Sequence, residues 1–267
     1  MAPCHRNPRH ARVGTVEGPI FGICDPRFAG VRDEFARNFA ERDELGAAVC
    51  VTVDGATVVD LAGGWVDAEA TSPWQPDTLV DFYSVGKAFL ALTALRLVDE
   101  GVLALDQPIA QVWPEFASAG KGEVTLRNAL CHRAAVPAIR TPLTNDDLWH
   151  WDRMAAALAA TEPWWEPGTR HAYHTNTYGH LIGEVVRRAS GETVAQRLAG
   201  LTDPLGADVH VGVPKGDGGR CASVVFVAPD LSGLRDLGSL AGDQLMEMLS
   251  CFNPRLGAER RTWTCDR

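Results

Sequence analysis

Apolar positions early in the chain alternate between helix-like and strand-like spacing. In VRDEFARNF, Val31, Phe35 and Phe39 recur every four residues, the stripe of a helix that packs along one side. AAVCVTV, the dipeptide Asp54-Gly55 and ATVVDLAGGW then read as a hairpin, because two β-rich runs flank a pair that tolerates positive φ at both turn positions. Two strands alone are marginal in water, so a larger sheet is expected. From Ser84 to Glu100 the spacing predicts a helix, with Gly101 as its C-terminal stop. Ala88, Phe89, Leu90, Ala91 and Leu92 leave it almost no polar face, which predicts a central helix buried nearly all round, with Ser84 at its head.

From about residue 105 to 200 helical spacing dominates. NDDLWHWDRMAAALAATE carries a start signal and the stripe Leu148, Trp151, Met154, Ala155 and Leu158. YGHLIGEVVRRASG carries Leu181, Ile182, Val185 and Val186, then Gly191 as a stop. Beyond residue 209 the β-like runs are HVGV and SVVFVA, followed by a helical pattern from Ser232 to Leu249. So few late strands predict a sheet that begins early and is incompletely filled.

Composition narrows the function classes. The 267 residues are 46% hydrophobic and 22% charged, which fits a folded globular protein with a sizeable core. A net charge of -9 repels phosphate backbones and argues against nucleic acid as a partner. The start MAPCHRNPRHAR reads as a flexible tail over residues 1–16, without the apolar segment of a secretory signal. No apolar run is long enough to span a bilayer, and a cytoplasmic protein is expected. Seven cysteines without a CxxC pair read as reduced thiols. His171, His174 and His180 lack metal-ligand spacing, so neither a metal nor another cofactor is expected.

The chain has only three lysines, and Lys87 stands three residues after Ser84 on the apolar helix. Residues three apart share a helix face, so the amine reaches the hydroxyl. Burial disfavours an ammonium, and a lysine so placed can accept a proton where an arginine cannot. The helix start adds backbone N–H groups for a developing oxyanion. An isolated SxxK also fits a capping serine and a lysine that snorkels to solvent. Ser118 and Lys121 repeat the spacing, but Gly120 and Gly122 flank that lysine and a helix is not expected to persist there. Tyr173, after the turn WWEPGTRHA and before a helix, is a candidate third group for shuttling the proton.

SVGK at 84–87, LCHRAAVPAI from 130, WEPGTRHAYHT from 165 and PLGADVHVGVP from 204 together resemble the serine β-lactamase-like family. The similarity is strongest to its family VIII carboxylesterase branch, related to class C β-lactamases and D-alanyl-D-alanine peptidases. It runs from about residue 20 to 215. It implies an α/β (α+β) fold of the β-lactamase/transpeptidase type: an antiparallel sheet flanked by helices, a mainly helical domain, and a site between them. On this basis residues 17–105 form the first part of the sheet-and-helix domain with the nucleophile helix, 106–208 the helical domain, and 209–267 a remnant of the first. The resemblance implies Ser84 as nucleophile, Lys87 as its activator and Tyr173 as the tyrosine of the Y-x-N or Y-x-x motif. Thr175 stands where lactam-cleaving relatives usually carry asparagine, which implies small carboxylic esters or acyl compounds as substrates; His174 is given no catalytic role. Relatives of this kind are longer and bear a KTG-like strand that is not recognisable here, so a shortened chain with an incomplete sheet is expected. β-Lactam or D-Ala peptide cleavage at the same site, and a shortened inactive member, are the alternative readings.

Overall fold

Asp54 and Gly55 reverse the chain with φ of 50° and 79°, the left-handed pair that a two-residue hairpin requires and that glycine adopts without steric cost. The structure, a computed structural model, describes residues 18–144 and 146–225. Its strands are β1 (Ile20–Cys24), β2 (Gly46–Val53) and β3 (Ala56–Gly64). They form an antiparallel sheet in the order β1-β3-β2, with Ile20 opposite Gly63, Gly46 opposite Gly64, and a register shift between Val51 and Thr52. Helix α1 (Ala29–Glu41) is the one expected from the early stripe. Its Phe35 and Phe39 meet edge to face at 5.2 Å and join Val58, Val59 and Leu61 in one cluster. Each buried aromatic or aliphatic side chain of this kind contributes about 1.5–3 kcal/mol.

This sheet unit comprises residues 18–81 and 214–225 of the described chain. The late segment returns by backbone hydrogen bonds from Leu79 to Arg220, from Ala222 to Leu79 and from Ser223 to Val66. It does so without a further strand: HVGV is not extended, because Gly212 takes φ 82° and Pro214 follows. Cys221 pairs with Leu79 as an isolated bridge outside any strand. The end of SVVFVA, the pattern from Ser232 to Leu249 and the N-terminal tail lie outside the described residues.

The helical unit comprises residues 82–213 of the described chain. A 3-10 turn, Tyr83–Val85, leads into α2 (Gly86–Asp99). Then come α3 (Leu126–Leu130), α4 (Trp151–Ala160), α5 (Thr177–Ser190) and α6 (Val194–Thr202). Reciprocal capping boxes start α3 at Thr125/Asn128 and α6 at Thr193/Gln196. Leu90, Ala94 and Leu97 of α2 share a core with Leu126, Leu158, Leu181, Ile182, Val185 and Val186. The expected stripe of α5 is buried, and so are Met154, Ala155 and Leu158 of the stripe expected for α4, while Trp151 is half-buried and Leu148, also half-buried, lies in the 3-10 turn before the helix.

Helix α2 departs from expectation in two ways. It is not buried nearly all round: Leu92 is 51% exposed and Leu95 40%. Leu90, Thr93, Ala94 and Leu97 are the buried positions of the helix, and its geometry leaves Leu92 and Leu95 facing away. It also packs against α5 and α6, so the division between units falls at Asp81 and Phe82, whereas the sequence reading set it near residue 105. Among the described residues no helix is long and apolar enough to cross a membrane.

Candidate active site

Ser84 sits in the 3-10 turn ahead of α2, exposed to solvent, and Lys87 lies half-buried in the first helical turn. The residue before the serine, Tyr83, takes φ 46°, a left-handed conformation costing an aromatic residue about 1–3 kcal/mol. Lys87 Nζ donates to Ser84 Oγ at 3.1 Å, the contact that the three-residue spacing anticipates. The same nitrogen lies 4.8 Å from the centre of the Tyr173 ring and 6.0 Å from that of Tyr178. The Tyr173 phenol titrates below the ordinary range because Ser84, and then Lys87, hydrogen-bond to its oxygen and stabilise the phenolate. The three residues singled out in the sequence therefore meet in one hydrogen-bonded group. In the first turn, Val85 N–H is committed to the Phe82 carbonyl and Gly86 N–H to those of Ser84 and Tyr83. The helix start thus offers an oxyanion fewer donors than expected.

The second SxxK pair is a structural device. Ser118 and Ala119 leave helical geometry, at ψ 157° and φ 54°, as the flanking glycines suggest. Lys121 is fully buried and donates to the carbonyls of Ser118, Ala159 and Thr161 at 2.8, 3.0 and 2.6 Å. The Ser118 hydroxyl also donates to Ala159 O, away from the amine.

Two neighbours of the site were not singled out in the sequence. His132 packs its ring 4.8 Å from that of Tyr173 and 4.7 Å from that of Tyr178, and its pKa is drawn down to about 4 by burial and by the nearby His171 and Lys87. Tyr178 is buried in the first turn of α5, and that burial raises its phenol pKa, which keeps it neutral. His132 lies inside the LCHRAAVPAI segment, but nothing in its spacing announces contact with Tyr173. His174 is fully buried and hydrogen-bonded to backbone through both ring nitrogens, in keeping with the absence of a catalytic assignment. Thr175 is half-buried, its N–H donating to the Tyr173 carbonyl at 3.0 Å, and Asn176 stands at the start of α5 without a side-chain capping bond. Among the described residues no group of His, Cys, Asp or Glu is placed to hold a metal.

Residues 33–248 match the family described as Beta-lactamase. The chain belongs to the beta-lactamase family. Within that family it is 33% identical over 230 residues to Esterase/beta-lactamase LipL of Mycobacterium tuberculosis (strain ATCC 25618 / H37Rv), an overlap of 84% of this chain and 53% of that protein. A penicillin-binding protein homolog from Caulobacter crescentus superposes with a TM-score of 0.75 at 42% identity, over 79% of this chain and 57% of the other. A family VIII carboxylesterase gives 0.73 at 40% identity, over 78% and 57%. The family resemblance carried by the four sequence motifs, and the β-lactamase/transpeptidase-like fold it implied, are borne out. This beta-lactamase family chain spans about half the length of the curated relative it matches, 53% of LipL.

Proposed function

We propose that the protein is a serine hydrolase that cleaves small carboxylic esters through an acyl-Ser84 intermediate, with Lys87 and Tyr173 sharing proton transfer. One observation carries the reading: the 3.1 Å contact of Lys87 Nζ with Ser84 Oγ, beside a phenol whose pKa is lowered by hydrogen bonds from both. Ser84 Oγ attacks the ester carbonyl carbon as its proton passes to the Tyr173 phenolate oxygen, so the serine O–H bond breaks, an O–C bond forms and the carbonyl π pair moves onto its own oxygen. The tetrahedral intermediate then collapses, the bond to the alkoxide breaks, and Tyr173 returns the proton to the leaving alcohol. Water repeats the sequence on the acyl-enzyme, releasing the carboxylic acid and restoring Ser84. Lys87 shares in each transfer by holding the serine and phenol oxygens with its N–H donors, so that the proton moves along a fixed path and the charge that develops on them is offset. The exposure of Ser84 leaves it open to substrate and water.

Esterase in the name of LipL and the likeness to a family VIII carboxylesterase support ester substrates, as does threonine at 175. A net charge of -9 supports a small-molecule partner over nucleic acid. Cys24, Cys50 and Cys131 stand as thiols, which supports a cytoplasmic setting. A second reading, β-lactam or D-Ala peptide cleavage at the same serine, is favoured by the likeness to a penicillin-binding protein homolog. Intact-mass spectrometry after treatment with a fluorophosphonate, alongside nitrophenyl-ester and nitrocefin turnover, tests both. Modification at Ser84 with ester turnover is expected. Equal ester hydrolysis by Ser84→Ala would refute the assignment, nitrocefin turnover above ester turnover would select the second reading, and a folded chain that never labels would mark an inactive member.

A further inference from the structure

Tyr173 lies on a loop ahead of α5 and is 41% exposed, so its own packing does not fix it beside Ser84. One residue, His132, holds the backbone on both sides of it. The N–H of Ala172 donates to the His132 carbonyl at 3.3 Å, and the N–H of His174 donates to His132 Nδ1 at 3.0 Å. His132 reaches both because it takes φ 59°, a left-handed turn that points its carbonyl and ring toward the same strip of chain. Its ring then fills the space between Tyr173 and Tyr178.

The tautomers this requires agree with the surrounding hydrogen bonds. To accept from an amide, Nδ1 of His132 must be without a proton, which leaves the neutral ring protonated at Nε2. His174 takes the opposite form: its Nε2 accepts from Val136 N–H at 3.3 Å, so Nδ1 carries the proton and donates to Ala172 O at 2.7 Å. The hydroxyl of Thr177 adds a bond to the Val136 carbonyl at 2.8 Å. Residues 132–136 are thus stitched to 172–177.

We propose that His132 is a positioning residue for the reaction, clamping the chain on both sides of Tyr173 so that the phenol stays in reach of Ser84 and Lys87. This rests on the serine hydrolase reading for its consequence in turnover. The clamp itself does not.

Two substitutions separate the clamp from general stability. Glycine and asparagine both tolerate the left-handed backbone at 132, but only asparagine places an acceptor near the position of Nδ1. His132→Gly should remain folded by circular dichroism, lose about a hundredfold in kcat on a nitrophenyl ester with KM nearly unchanged, and move the Tyr173 phenol titration upward. His132→Asn should stay within about threefold of the parent in kcat, the conservative rescue. A folded glycine variant with parental kcat and parental Tyr173 titration would overturn the proposal, and so would an asparagine variant no better than glycine. Nitrogen-15 spectra of the unsubstituted chain give a reading that needs no variant: an unprotonated Nδ1 on His132 at neutral pH is expected, and a proton there would overturn the clamp. If Ser84→Ala hydrolyses the ester like the parent, the hydrolase reading fails, while the ultraviolet titration of Tyr173 and the His132 tautomer still decide the clamp.

Discussion

At the scale of single residues, the lowered pKa of Tyr173 has a direct consequence for the pH dependence of the proposed ester cleavage. In the proposed reaction the phenol serves as base and must lose its proton, so turnover should rise with pH through a pKa that lies below the usual value of 10.0. Lys87→Ala removes one of the hydrogen bonds that stabilise the phenolate, and the rising limb should shift to higher pH. Tyr173→Phe should erase that limb and lower kcat by about 10²–10⁴-fold, measured on a nitrophenyl ester across the alkaline range. Of this trio, Ser84 and Lys87 are legible from the sequence as a pair because helix geometry alone brings residues three apart together. The sequence offers Tyr173 only as a candidate, since its place depends on His132 and on hydrogen bonds between segments far apart in the chain.

Among the elements, α4 shows how a motif with catalytic spacing serves structure instead. The Lys121 amine closes the C-terminal end of α4 by donating to Ala159 and Thr161, carbonyls that the helix itself leaves unpaired. Lys121→Met should therefore cost about 3 kcal/mol in denaturant unfolding, because the carbonyls of Ser118, Ala159 and Thr161, the last two in buried residues, lose a charged donor at once. The fluorophosphonate should not label Ser118. Helix α5 approaches α4 closely at Gly183, where an added Cβ would lie 2.5 Å from the Trp151 ring. Gly183→Ala should destabilise by about 1–3 kcal/mol on thermal unfolding, from overpacking. Helix positions and stops were readable because apolar spacing and glycine act locally. The exposure of Leu92 and Leu95 on α2 was not, because an apolar run states what a helix could bury and not what lies beside it.

For the whole molecule, stability in acid follows from groups held in one protonation state by the fold. His132 and His174 titrate near 4 in the folded chain, against 6.5 for an ordinary histidine, and burial is the main cause for both. The unfolded chain binds their protons first, so stability should fall as pH drops from about 6.5 to about 4. Glu184 adds a lower window. Burial pushes its pKa up, but hydrogen bonds from Arg187, Arg188 and Trp151 outweigh this and bring it to about 2, so its contribution is present above 4.5 and lost toward 2. Urea unfolding midpoints between pH 7 and pH 2 should decline in those two stages. The sequence by itself determined the hairpin, the main helices, the Ser84–Lys87 pair and the family, because each is written in local spacing or in short motifs. Tertiary structure alone decided that α2 packs with the helical unit, that Lys121 is a buried pin, and that His132 and Tyr178 surround Tyr173. Those outcomes depend on desolvation and on hydrogen bonds between distant segments, whose partners no local pattern specifies.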